Sequence, residues 1–336
     1  MKDNIMKVLN GLSIGVVIAL MPSAIFSQIF IALEMPDIAS MLNISTSLMC
    51  LSIGLAIAYQ FKLDLIPAAV LAIATMISGQ AIQYNNEILT ISGTGDIINA
   101  TFGAAIALLL IKVLDNKLGM YKLIILPAII ILIVGTITMY SAQPIFQITE
   151  YIGNLILHFT TLKPILMCTL IGISFGIIIV SPISSVAIAL LINLSGVGAA
   201  AASVGICAVA ISLAISSFKS NGLASSIAIF LGSPKLQMAN FIRRPLILLP
   251  GIIGAAISSP FAVIFNLQGT TLSAGFGSSG LIGPITNLNI NGYDSNTILI
   301  TIIAYLIIPF VSSLIAIIII NKTTTFIKSE YYKIHI

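Results

Sequence analysis

Glu150 and His158, the two side chains best suited to moving a proton, lie eight residues apart near the middle of the chain. In a helix that spacing is about two turns, which puts both on one face. A carboxylate and an imidazole placed this way could hold a sugar hydroxyl and accept its proton. The plainer reading is that both sit near aqueous helix ends. Asp96 follows, in SGTGDIINATFG at 92–103, with Asn99 one turn on. Asp96 could bind a substrate hydroxyl or a coupling cation, or it caps the helix that follows it; the same position serves either role.

Neutral polar groups gather in two further stretches. In SPISSVAIALLINLSG at 181–196, Pro182 breaks the helix, and Ser181, Ser184, Ser185 and Asn193 interrupt an apolar run. In QGTTLSAGFGSSGLIGPITNLNIN at 268–291, Gly269, Gly275, Gly277, Gly280 and Gly283 alternate with Ser273, Ser278 and Ser279. Glycines let a ligand approach backbone N–H and C=O groups closely, and the hydroxyls supply neutral donors and acceptors. The substrate-binding candidates are therefore Asp96, Asn99, Glu150, His158, Ser181, Ser184, Asn193, Gly275, Gly277, Ser278 and Ser279. Against them stand a flexible connector at 268–291 and serines that bond back to their own helices at 181–196. In GSPKLQMANFIRRP at 232–245, Lys235, Arg243 and Arg244 could dock a soluble partner or a phosphate, or simply anchor the chain on the cytoplasmic side. No residue is assigned a catalytic role. No spacing suits a metal, and no cofactor is expected. Cys50, Cys168 and Cys207 fall in apolar runs and read as small core residues, and His335 sits at the end with no specific role.

The elements that must position these residues follow from composition. Of 336 residues, 14 are Lys or Arg and 10 are Asp or Glu, while 58% are hydrophobic. An ordinary soluble domain carries about 25% charged residues. This chain carries 7%, with a mean hydropathy of +1.15. That excludes a soluble globular enzyme and a disordered chain. A nucleic-acid binder is excluded too, since no basic run exceeds Arg243-Arg244. What remains is an all-α polytopic membrane protein, because IILPAIIILIV at 124–134 is continuously apolar where a barrel strand would alternate.

Lys and Arg prefer the cytoplasmic side, so charge sidedness sets the expected topology. About ten spans result, at 8–33, 38–60, 64–83, 97–114, 121–141, 145–161, 164–181, 198–217, 246–266 and 297–321. The first five occupy 1–141 and the last five 145–321, with broken or re-entrant segments near 182–197 and 268–291. All 14 Lys and Arg then fall inside with both termini, and Glu34, Asp37, Glu87, Asp96, Glu150 and Asp294 lie outside or at the outer edge. A short hairpin is expected in NNEILTISGTG.

GTGDIIN at 93–99, NKLG at 116–119, IIIVSPISSVAIAL at 177–190, AIFLGSPKLQMANF at 228–241 and SAGFGSSGLIGPI at 273–285 together resemble the EIIC-type membrane proteins of bacterial phosphotransferase systems. More narrowly they are similar to the branch that includes perfringolysin-regulator-like proteins. The resemblance implies a single EIIC-like domain in the bacterial cytoplasmic membrane that binds a sugar or polyol and releases it inside as a phosphorylated sugar. Separate cytosolic EIIB and EIIA proteins would supply the phosphoryl group, and a homodimer working by alternating access is implied. No EIIA or EIIB domain is expected, since only 15 residues follow Asn321. Sugar-binding members place a Glu and a His against the sugar, but no Glu-Pro type motif matches here, so Asp96 or Glu150 would stand in. Two other classes stay open. One is a secondary transporter of a small polar solute with Asp96 as ion or proton site. The other is a membrane sensor that binds its ligand without flux and contacts a partner through 219–244.

Overall fold

In lipid, a charge-free run of backbone can satisfy its N–H and C=O groups only as a helix or a closed barrel. A computed structural model describes residues 2–85, 88–91, 93–115, 117–323 and 327–334; Glu87 and His335 lie outside the described residues. The chain is an all-α polytopic membrane protein with one two-stranded hairpin. It folds as two units, one of residues 2–23 and 33–148, the other of 24–32 and 149–334.

The first unit begins in α1 (Lys2–Ala32). Then come α2 (Pro36–Ser47) and α3 (Met49–Gln60), bent by 52° about Leu48, and α4 (Leu65–Ser78). The hairpin pairs β1 (Ile82–Asn85) with β2 (Ile88–Ile91), antiparallel, Ile82 opposite Ile91. After it run α5 (Ile97–Leu114) and α6 (Lys122–Phe159), whose last residues belong to the second unit. Small residues bring these helices together, as packing in lipid requires. A Cβ on Gly15 would overlap the Ile53 backbone, and one on Gly54 would lie 2.6 Å from Ala72 Cα.

Among the described residues, six helical stretches are long and apolar enough to cross a bilayer: Asp3–Ile31, Ile97–Leu114, Gly119–Phe159, Gly196–Gly232, Pro245–Ile264 and Ser295–Thr323. The bent α2–α3 pair makes a seventh if it counts as one span. The expected ten is thus too many, for local reasons. The segments 121–141 and 145–161 are one helix, since α6 continues through Pro144 for 38 residues. A residue before proline is biased away from helix, but membrane helices accommodate proline well. The length of α6, about 57 Å at 1.5 Å per residue, far exceeds one bilayer core. The parity step that returned Lys163 to the inside therefore loses its support. The expected span 64–83 yields only the 14 residues of α4, because Gly79 ends the helix and the chain turns into the hairpin. The expected span 164–181 yields the 15 residues of α7 (Pro164–Ile178).

The second unit continues with α8 (Ser185–Leu191) and α9 (Gly196–Ile227), then α10 (Met238–Arg243), α11 (Leu249–Ser258) and α12 (Phe261–Ile264). It ends with α13 (Thr271–Phe276), α14 (Ile282–Asn291), α15 (Ser295–Ile302) and α16 (Ile308–Thr323). Wide π-helical turns occupy Ala228–Gly232 and Ile303–Ile307. The alanine-rich α9 is the axis, 89% buried over its most apolar window, with α7, α11, α13 and α16 packed on it. A Cβ on Gly205 would overlap the Gly172 backbone, so α7 and α9 touch main chain to main chain. Hydroxyls fasten the remaining contacts: Ser313 Oγ donates to Ala208 O (3.0 Å), and Ser258 and Ser312 share a 2.8 Å hydrogen bond.

Candidate functional site

The two broken stretches both lie in the second unit, and they meet. After α7, Ser181 Oγ donates to Ile178 O (2.8 Å) and accepts from Ile183 N (3.1 Å), closing a turn around Pro182. Ser184 then caps α8, its hydroxyl accepting from Ala187 N at 3.2 Å. Asn193, exposed and at φ 48°, helps turn the chain into α9. The second stretch repeats the plan. Thr270 and Ser273 cap α13 reciprocally, and α13 stops at Gly277, whose φ of 60° favours glycine. A turn through Ser278 and Ser279 leads into α14.

Contact between the stretches is intimate. Ser185 Oγ donates to Gly275 O at 2.6 Å, and a Cβ on Gly275 would come 2.5 Å from Val186 Cα. Gly196 and Gly269 exchange both backbone hydrogen bonds, at 2.9 and 3.1 Å. Behind them Gln268 N donates to the buried Asn287 Oδ1 (2.8 Å), and Asn287 Nδ2 donates to Thr301 Oγ1 (2.8 Å). The result is a pair of short helices whose broken ends present hydroxyls and main-chain groups inside the unit. Ser278 and Ser279 are 1% and 2% exposed. Neutral donors and acceptors of this kind suit a polyhydroxyl ligand.

Lys235 belongs to this junction rather than to a docking surface. It is 3% exposed, and its Nζ donates to Ser181 O (2.6 Å) and Ile183 O (2.9 Å) across the break between α7 and α8. Burial pushes its pKa down to about 7, while the two carbonyls favour the charged form. No carboxylate pairs with it among the described residues. Arg243 is exposed, and Arg244 lies with its guanidinium 3.4 Å from the centre of the Tyr331 ring. That ring is part of a C-terminal segment clasping this region. Tyr332 Oη donates to Ile247 O (3.0 Å), and Tyr332 O accepts from Asn221 Nδ2 (2.7 Å) and Gln237 Nε2 (2.8 Å). Asn240 Nδ2 donates to Lys333 O at 3.0 Å.

The remaining candidates are not brought to the junction by any hydrogen bond. In the first unit Asp96 Oδ1 accepts from Ile98 N (2.8 Å) and Asn99 N (3.1 Å), the geometry of a helix cap. Asn99, fully buried, donates through Nδ2 to Ser78 O (2.8 Å) and Thr138 O (3.0 Å), and its Oδ1 accepts from Ser141 Oγ (2.7 Å). Its amide thereby joins α4, α5 and α6. Glu150 and His158 are both exposed on α6. Sequence reasoning did not single out three buried hydroxyls: Ser203 in α9, Ser259 in the turn between α11 and α12, and Tyr305 in the π-helical turn. Their only signal was a polar residue in an apolar run, which Ser312 and Ser313 share while having hydrogen-bond partners.

The family described as "Phosphotransferase system, EIIC" matches residues 6–334. No curated protein and no solved structure matches the chain.

Proposed function

Because the chain belongs to the phosphotransferase-system EIIC family, it is a sugar-specific membrane component of such a system, and we propose that it binds and translocates the sugar itself. In this reading a separate EIIB, charged through EIIA, phosphorylates the sugar as it is released inside. The observation that carries the reading is the meeting of 181–196 with 268–291 through Ser185 and Gly275 and through Gly196 and Gly269. Two discontinuous helices facing one another are how transporters frame a polar substrate within a bilayer. We assign the sugar to the broken ends there, with Ser181, Ser184, Gly275, Gly277, Ser278 and Ser279 around it. We extend the reading to the branch that includes perfringolysin-regulator-like proteins, which the quoted motifs resemble. We extend the reading to a homodimer with both termini in the cytoplasm, working by alternating access between conformations of these broken segments. Of Lys235, Arg243 and Arg244, Arg243 alone is exposed, and it is the group left to meet EIIB.

The test is reconstitution in liposomes with purified EIIA, EIIB and a panel of labelled sugars. Phosphorylated sugar is expected inside only when both partners are added. Uptake driven by an ion gradient without phosphorylation would sink the reading in favour of secondary transport. Binding without flux would favour a sensor. Secondary transport has less support, since Asp96, its ion site, already accepts two backbone N–H groups.

A further inference from the structure

Buried hydroxyls in folded proteins almost always find a partner, so a cluster without one needs a reason. Ser203 on α9 is fully buried, Ser278 after α13 is 1% exposed, and Tyr305 in the π-helical turn is 2% exposed. The side-chain oxygens of all three make no hydrogen bond among the described residues. They lie together. A Cβ placed on Gly283 would overlap Ser203 Oγ while lying 2.8 Å from Gly277 O and 3.1 Å from Tyr305 Cε1. The Ser203 and Tyr305 hydroxyls face each other, and the Ser278 hydroxyl faces the Cys207 thiol, without either pair closing to a hydrogen bond.

Two irregular backbones frame the cluster. On one side the chain breaks between α13 and α14, with φ values of 60° at Gly277 and 58° at Gly280. On the other, Tyr305 sits in a π-helical turn, a feature that recurs at functional sites. Irregular backbone at membrane depth is tolerated where it is buried in protein or lines a cavity for a polar guest. The groups placed around the oxygens are Cys207, Ile206, Gly277 and Gly283, none of them charged. An anion would need a cation here, and a metal ion would need a carboxylate or converging carbonyls. A neutral hydroxyl both donates and accepts, and so do the three groups that wait for it.

We propose that Ser203, Ser278 and Tyr305 form a subsite that hydrogen-bonds a hydroxyl of a neutral sugar or polyol. This rests on the sugar-translocating reading above and adds two residues, Ser203 and Tyr305, to the broken ends assigned there. Because each oxygen is unpartnered without ligand, its removal leaves the empty protein as stable or more stable, and the loss appears only when sugar binds.

The test uses the full chain in detergent, with melting temperature measured without ligand and with glucose, N-acetylglucosamine or mannitol as probe. The variants are Ser203→Ala, Ser278→Ala and Tyr305→Phe, each removing one oxygen. In the supporting outcome a probe stabilises the wild type. Each variant then melts at or above the unliganded wild type, and its affinity for that probe falls by about tenfold or more, the scale of one lost hydrogen bond. A variant that loses its monodisperse profile is replaced by Ser203→Cys or Ser278→Cys, which keep the volume and weaken the donor. Equal stabilisation of wild type and variants overturns the subsite while leaving the EIIC reading intact. Should no probe stabilise the wild type, the neutral-sugar assignment falls, and the EIIA- and EIIB-dependent phosphorylation assay then decides the EIIC reading separately.

Discussion

Lys235 shows how one residue can look like a surface anchor and be something else. Its neighbours in the sequence are polar and basic, which is what a cytoplasmic loop looks like; only the tertiary fold turns it inward onto Ser181 O and Ile183 O. Its lowered pKa makes stability depend on pH. Below about pH 7 Lys235 is charged folded and unfolded, so the burial penalty is present in full. Between that value and about 10.4 the unfolded chain holds a proton that the folded protein has lost, and stability rises with pH. Melting of the wild type followed by size exclusion after heating should therefore shift upward from pH 7 to 10, and Lys235→Met should abolish that slope. A slope that survives in Lys235→Met would assign it to other groups. Asn99 makes the contrasting case. Its neighbourhood was legible as special, but its role was not, because an amide one turn after Asp96 fits a ligand as well as three interhelical bonds. Asn99→Leu removes those three bonds and should lower stability by about 2–3 kcal/mol. Sugar affinity measured on the surviving folded protein should be unchanged; a loss of affinity at full stability would return Asn99 to the substrate site.

At the scale of elements, the charge-free runs marked most helices well, and α5 spans the residues expected for its crossing, Ile97–Leu114. Where helices join was less legible. Pro144 lies between two expected spans but inside α6, whereas Pro182, read as a helix break, does break the chain, because Ser181 and Ser184 are there to take up the freed backbone groups. The short helices were visible as polar interruptions, yet their pairing was not, since 90 residues separate Ser185 from Gly275. That pairing depends on glycine. Gly277 needs its left-handed φ, and a side chain there would also overlap the Ile206 branch. Gly277→Ala should therefore cost more than the ~1–2 kcal/mol of the backbone conformation alone and lower both melting temperature and transport. Ser184→Ala removes both the α8 cap and a hydroxyl assigned to the sugar, so it should cost about 1 kcal/mol of stability and weaken transport as well.

For the molecule as a whole, scarcity of charge pointed to a membrane protein, and the order of motifs resembled the family that the match over residues 6–334 shows. Neither could show that the chain's own C-terminus occupies the stretch set aside for a partner. Residues 327–334 follow the last long apolar helix, and the sequence there, IKSEYYKI, has no helical or strand period to read. Its hold on 220–247 comes from single groups: Tyr332 Oη on Ile247 O, the Asn221 and Gln237 amides on Tyr332 O, and Arg244 over Tyr331. The segment would then govern how open the Arg243–Arg244 region is, whatever docks there. Deleting 327–336 removes these contacts at once, and losing even one or two net hydrogen bonds raises the locally open population by roughly tenfold. Trypsin cleaves only the open form and does not cut before Pro245, so cutting after Arg243 should accelerate by about that factor in the deletion variant, with cleavage elsewhere in the shared residues unchanged. Tyr332→Phe, which removes a single oxygen, should give a smaller acceleration in the same place. Equal cleavage rates in all three proteins would mean that the C-terminal segment does not guard this region, and the accessibility of Arg243 would then have to be set by the 232–245 turn itself.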